Sequence, residues 1–288
     1  LYGNEELILK KINKYKVPKS NIKIFNTLSV VSDEETPLTA IKNSKNSSMW
    51  NSINSQIADG ADISLSAGNT GVLFVISRML LKTIEGVSKP ALAGLWPNKK
   101  GVSVVLDLGA NIECSEKNLI DFSEMGSALF KSLFNNQKPK VALLNIGSEE
   151  IKGTDSIKKA HLMLKEVSSF GDFDFNGYVE ADKIFEGDSN VIVADGFTGN
   201  IALKTAEGTA NFITNELKQS MKNSFFGKIG SLIAMKSLKN FKKKLDPRLY
   251  NGAILLGLNS PVIKSHGGTD YVGFANSLSV CEKIVKNN

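Results

Sequence analysis

Cysteine and histidine are scarce: the 288 residues hold only Cys114, Cys281, His161 and His266. A Cys/His metal centre needs more ligands at closer spacing, so no metal is expected. The cysteines, without C-x-x-C spacing, read as reduced thiols of a cytoplasmic chain and not as a disulfide framework. No apolar run approaches the roughly 20 residues that cross a bilayer, which excludes a transmembrane helix. Neither a G-x-x-x-x-G-K-[ST] nor a G-x-G-x-x-G loop occurs, so ATP and dinucleotide cofactors are disfavoured and none is expected. A G-x-S-x-G elbow, which would offer an acyl-enzyme nucleophile, is lacking too. The chain opens at Leu1 without Met or a charged-then-apolar leader, and so reads as beginning part-way into a longer protein.

What is present is a globular mixture, 42% hydrophobic and 22% charged, sufficient for a buried core. Apolar, β-branched runs at 21–25, 61–65, 102–106, 140–144, 177–180, 191–194 and 261–264 are candidate strands. Amphipathic stretches over 70–81, 117–134, 156–167, 201–222 and 271–285 are candidate helices. This alternation predicts an α/β fold with a mainly parallel sheet covered on both faces. A single catalytic domain over 1–288, with one helical excursion at about 209–248, accommodates it.

Four candidate strands end in loops that mix glycine with amides and hydroxyls. They are Ser66-Ala67-Gly68-Asn69-Thr70-Gly71, Asp107-Leu108-Gly109-Ala110-Asn111, Asn145-Ile146-Gly147-Ser148 and Asp195-Gly196-Phe197-Thr198-Gly199-Asn200. Such residues are also what ordinary turns and helix caps use. Four together, expected on one edge of a sheet, point to an anion held by backbone N–H groups and helix N-termini.

These loops, with Lys152-Gly153, Lys204, Glu207-Gly208 and His266-Gly267, resemble the ordered motifs of the bacterial phosphate acyltransferase family, from Leu1 to the C-terminus. The resemblance implies a three-layer fold like phosphotransacetylases and isocitrate dehydrogenases, a homodimer, and transfer of a long-chain acyl group from acyl carrier protein to inorganic phosphate for phospholipid synthesis. It implies a downstream glycerol-phosphate acyltransferase as well. Family members open with a strand ending in D-x-M-G-G-D, and this chain starts beyond it. Where some members carry Arg, this one has Asp182, so no anion role is assigned there. A short-chain phosphotransacetylase using acyl-coenzyme A, or a non-catalytic anion- or lipid-binding scaffold, remains compatible with the same loops.

The chemistry narrows the residues. A phosphate dianion attacking a thioester needs little base, and the thiolate departs readily, so positioning and oxyanion stabilisation carry the reaction. Asn69, Asn111, Lys204 and His266 are the expected catalytic groups. Ser66, Gly68, Thr70, Gly147, Lys152, Thr198, Gly199 and Asn200 are the expected phosphate and thioester lining. Lys204 and Lys152 also fit plain surface lysines. Asp107 and Asp195 fit either a site role or loop-holding through backbone N–H groups. His161, on an apolar helix face, reads as structural.

The charge is uneven. Residues 218–248 carry nine basic side chains against one acid, Asp246, a local +8 that exceeds the +6 of the whole chain. Phe225, Ile229, Leu232, Ile233, Leu238 and Phe241 recur at helical spacing among these lysines, which predicts a basic amphipathic helix pair hinged near Gly227 and Gly230. Anionic lipid, an acidic carrier protein, a twin across a dimer, or simple packing with solvated lysines all fit 225–245. No nucleic-acid-binding module is recognisable.

Overall fold

The structure, a computed structural model, describes every residue except 33, 37, 38, 40–43, 135, 136 and 288. Tyr2–Gly3 (β1) and Phe25–Asn26 (β2) form a small parallel pair joined through helix α1, Glu5–Lys14. Helices Ser48–Ala58 (α2) and Thr70–Leu81 (α3) flank Ser64–Ser66 (β3), the first strand of the main sheet. The remaining strands of that sheet are Ala91–Asn98 (β4), Gly101–Leu106 (β5), Lys140–Leu144 (β6), Asp174–Val179 (β7), Val191–Val193 (β8), Ala253–Leu256 (β9) and Val262–Lys264 (β10). Their spatial order is β3-β10-β9-β4-β5-β8-β6-β7. Helices Glu116–Leu133 (α4), Asp155–Val167 (α5), Gly196–Lys222 (α6), Phe225–Ile233 (α7), Met235–Lys244 (α8) and Tyr271–Lys286 (α9) complete the chain.

Side chains alternate across each strand, so the sheet has two apolar faces. Val104, Leu106, Val141, Leu143, Val191 and Val193 face one core, which Phe122 and Phe130 of α4, Leu164 of α5 and Ile284 of α9 cover. Val105, Leu144 and Ile192 face the other, under Ile53 of α2 and Leu73 and Ile76 of α3, with Leu203 and Ala206 of α6 packed partly against it. The result is the expected three-layer α/β/α architecture.

Four of the sheet's seven pairings are parallel; β10/β9, β9/β4 and β4/β5 are antiparallel. This corrects one expectation. β3, β4 and β10 run opposite to β5, β6, β7, β8 and β9, so the four glycine-rich loops do not share one sheet edge. Strands β4 and β9 and helices α1 and α2 were also not expected. In β4, Gly94 and Pro97 break the strand pattern; Pro97 is accommodated because it pairs with Val102 close to the hairpin end.

The basic segment forms two short helices, neither of which buries a residue. The chain bends at Asn223–Ser224 and at Ala234, not at Gly227 and Gly230, which both lie inside α7. Ser224 is responsible for the first break: its hydroxyl accepts from the Gly227 N–H at 2.8 Å and starts a new helix. Inside a helix, a glycine costs only about 1 kcal/mol and does not force a hinge.

His161 is structural, as expected. It is buried in α5, its ring 4.3 Å from that of Tyr178 and 5.2 Å from that of Phe175. Burial first, then the Lys165 ammonium, pushes the imidazole below its ordinary value, against a smaller opposing pull from Glu150. The unfolded chain therefore takes up this proton more readily. Stability from this site is fully present above the ordinary histidine range, ~6.5, and is lost as pH falls below it. Urea unfolding between pH 7 and 5 is expected to show this loss, and His161→Phe should flatten it; an unchanged slope in the variant would refute the assignment.

Candidate active site

The site is built on Asp107, the first residue after β5. Its carboxylate is completely buried. Oδ1 accepts from the backbone N–H of Leu92, Gly109 and Ala110 at 3.0–3.2 Å. Oδ2 accepts from the N–H and the side-chain amide of Asn111 at 2.7 and 2.8 Å. Burial raises the Asp107 pKa, and these hydrogen bonds oppose that rise. The Asn111 amide also donates to the Pro90 carbonyl at 2.7 Å. Asp107 and Asn111 thus tie the β5 loop to the start of β4.

The N-terminus of α6 sits directly on this loop. A Cβ at Gly199 would lie 1.9 Å from the Asp107 carbonyl oxygen, and one at Gly196 would lie 2.5 Å from that of Asn111. Only glycine allows that approach. Asp195 caps the helix, accepting from the Thr198 N–H at 2.8 Å and the Thr198 hydroxyl at 2.9 Å. A second loop pair mirrors the first: a Cβ at Gly267, after β10, would stand 3.2 Å from the Ala67 carbonyl of the β3 loop.

Both loop pairs open into one cavity of about 1000 Å³ between α3 and α6. From the expected residues it gathers Thr70, Asn200, Lys204 and His266. The His266 Nδ1 accepts from the Gly268 N–H at 3.2 Å, which in the neutral ring leaves the proton on Nε2 as a donor. Lys204 pairs with Glu207, also in the wall, at 2.8 Å.

The other expected residues do not line it. Asn69 caps α3, accepting from the Val72 N–H at 3.1 Å and donating to the Glu35 carbonyl. Ser66 accepts from the Gly68 N–H, and a Cβ at Gly68 would crowd the end of Met49. Asn111 and Gly199 are taken up in the Asp107 cradle, and Thr198 in the Asp195 cap of α6. Gly147 and Lys152 belong to the β6 loop, whose backbone carbonyls accept from Asn145.

Three groups in the wall were not anticipated. Lys264, the last residue of β10, is buried, and its ammonium donates to the carbonyls of Ser265 and, at 3.4 Å, Ala67. Arg248 is held by Asp246 and Asp270, each at 2.6 Å. Asn251 accepts from the His266 N–H and donates to the Ser265 hydroxyl, fixing the His266 turn. A lysine closing an apolar strand immediately before Ser265-His266 was the signal available for Lys264. Cys114 is no resting nucleophile: burial foremost, then Asp107, pushes its thiol up to about 11.

The fold is that of phosphotransacetylases. The chain aligns over 99% of its length with 84% of a EutD phosphotransacetylase from Staphylococcus aureus, at TM-score 0.61 and 17% identity. With a phosphotransacetylase from Streptococcus pyogenes it aligns over 99% of its length and 85% of that chain, at TM-score 0.63 and 16% identity. These identities establish the architecture alone. Residues 1–288 match the family described as fatty acid synthesis protein. The chain is 60% identical over 288 residues to the phosphate acyltransferase of Pelagibacter ubique, covering 100% of this chain and 86% of that protein. It is 45% identical over 258 residues to that of Agrobacterium fabrum, covering 89% and 73%. The protein belongs to the phosphate acyltransferase family.

Asp107→Ala strands four backbone N–H groups and the Asn111 amide. It is expected to lower unfolding free energy by at least ~3 kcal/mol in chemical denaturation. A loss within experimental error of wild type would show that the cradle does not support the site.

Proposed function

We propose that the protein transfers a long-chain acyl group from acyl carrier protein to inorganic phosphate, releasing acyl phosphate and the carrier thiol. One observation carries this reading: a single cavity is lined both by cationic, hydrogen-bonding groups and by an apolar surface. The first suits phosphate and a developing oxyanion, the second a hydrocarbon tail.

In this reading Lys264 and Lys204 neutralise the phosphate, and the Thr70 hydroxyl and Asn200 amide orient it. One phosphate oxygen adds to the thioester carbon, and the carbonyl oxygen becomes an oxyanion that the His266 Nε2–H stabilises. The carbonyl re-forms, the carbon–sulfur bond breaks, and the sulfur leaves as thiolate. Inorganic phosphate is already partly dianionic at neutral pH, so no strong general base is required. Asn69, Asn111, Thr198 and Gly199 support the site from behind, and Asp246 and Asp270 hold Arg248 at its rim.

Partners follow from the surface. The arm formed by α7 and α8 exposes Phe225, Phe226, Leu232 and Ile233 beside its lysines. Together with the local charge, this fits contact with an anionic membrane surface at the tip and a second copy along α6, where Phe212 is largely exposed and Ile213 partly so. Among the described residues no helix is long and apolar enough to cross a membrane. The acyl phosphate product would pass to a glycerol-phosphate acyltransferase.

Incubation of the full-length protein with a sixteen-carbon acyl carrier protein thioester and phosphate is expected to yield acyl phosphate; no product would reject the reading. Turnover of acetyl-coenzyme A alone would favour the short-chain reaction, and phosphate binding without turnover a scaffold. Lys264→Met should lower kcat/KM by about 10²-fold. Lys204→Ala should raise the phosphate requirement, and an unchanged phosphate dependence would remove Lys204 from the site. Co-sedimentation with anionic vesicles, weakened by salt, is expected of the wild type; absence of binding at any salt would reject the membrane role.

A further inference from the structure

The apolar body of the cavity has a definite construction. Its floor is one face of β4, where Leu92, Gly94 and Trp96 alternate toward the same side and Leu92 and Trp96 are buried in that core. Gly94 presents no side chain there, in the middle of the wall. A Cβ at that position would come 2.5 Å from the Leu108 Cδ1 and 3.6 Å from the Trp96 Nε1. The roof is Phe74 of α3 and, from α6, Leu203 and Ala206. Both α6 residues are half-buried. At the far end Trp96 stacks on Phe185, ring centroids 5.9 Å apart. Phe185 also lines the cavity. Gly94 thus makes room for the Leu108 side chain, which lies on the strand beside Trp96, while Ala206 brings only a methyl group to the facing wall, leaving a slot between them.

We propose that the acyl tail lies in this slot, between Leu108 and Ala206, and that the Trp96–Phe185 pair stops it, setting the longest chain accepted. The inference rests on the proposed acyl transfer and adds to it the path of the tail and the residues that measure its length. A chain that ends short of the stop leaves apolar surface unfilled. A chain that overruns it meets two stacked rings. Each methylene shut out of the slot costs roughly a factor of four in affinity.

The test compares four-, eight-, twelve- and sixteen-carbon acyl carrier protein thioesters on the full-length protein and its variants. Ala206→Leu adds about three carbons of bulk from a half-buried helix position, which keeps the folding risk low. It is expected to reduce kcat/KM for the sixteen-carbon donor at least tenfold more than for the four-carbon donor. Phe185→Ala, at the exposed end of the stop, is expected to move the optimum toward longer chains. An equal fall at all lengths, or an unshifted profile in both variants, overturns the proposal. Displacement of a fluorescent fatty acid by palmitate separates this failure from failure of the enzymatic reading. If the wild type binds palmitate and Ala206→Leu does not, the slot stands even where acyl phosphate is not formed. If both bind equally, the slot is not the tail site.

Discussion

The buried carboxylate of Asp107 is the constraint on which the rest of the site depends. A charge taken wholly out of water is tolerated only where hydrogen bonds replace its hydration. Here five donors do so, and four of them belong to the loop that the carboxylate shapes. The fifth is the Leu92 N–H, at the start of the cavity floor. One side chain therefore sets the loop, anchors β4 to it, and provides the surface on which α6 begins. Gly196 and Gly199 then let that helix come down onto the loop, and the angle of α6 over the sheet follows. Lys204 and Ala206, a turn or two further on, are delivered to the cavity wall by this chain of contacts.

The mixed sheet has a chemical consequence. In an all-parallel sheet the strand-end loops would crowd one edge and form a shallow crevice. Reversing β3, β4 and β10 relative to β5 and β8 points the carboxyl ends of the two strand pairs in opposite directions, on either side of β4. The cavity therefore extends over the sheet instead of stopping at its rim. A site for phosphate alone would gain nothing from that extent. A site that must hold phosphate, a thioester and a hydrocarbon tail in one line needs the length.

Most of the architecture was legible in the sequence because it rests on periodicity. The β5, β6 and β8 runs are continuous and apolar, as doubly buried strands must be, and the amphipathic stretches of α3, α4, α5 and α9 show their buried stripes. β4 was not legible, and its failure is informative. Gly94 and Pro97 spoil the strand pattern, and Gly94 does so where the Leu108 side chain lies against the strand. The glycine-rich loops were legible, but the division of labour inside them was not. A strand-end amide or hydroxyl looks the same in sequence whether it binds a ligand or caps a helix. Asn69, Asn111 and Thr198 cap or brace, whereas Thr70 and Asn200 reach the cavity. Only the three-dimensional placement separates the two groups. Lys264 escaped notice for a related reason: a lysine at a strand end ordinarily reaches water, and here the β3 loop closes over it.

The distribution of titratable groups explains how such a site can work without an acid–base pair. The cavity's lysines are met by carbonyl oxygens, at Lys264, or by a single carboxylate on the same helix, at Lys204. Arg248 is bound by two carboxylates and is committed to holding the wall. His266 has its Nδ1 occupied by a backbone donor, which in the neutral ring leaves the Nε2–H as its donor. Lys264, Lys204 and Arg248 are thus held in place by the protein itself. Such preorganisation stabilises a transition state without reorganisation cost. It suits the attack of an anion that is already ionised on a thioester whose leaving group needs no protonation. A reaction that demanded a proton at a defined moment would require a base with a tuned pKa in the wall. Cys114, the one thiol beside the cradle, is pushed the wrong way to serve as a nucleophile, and the direct route from phosphate to acyl carbon is the one the wall supports.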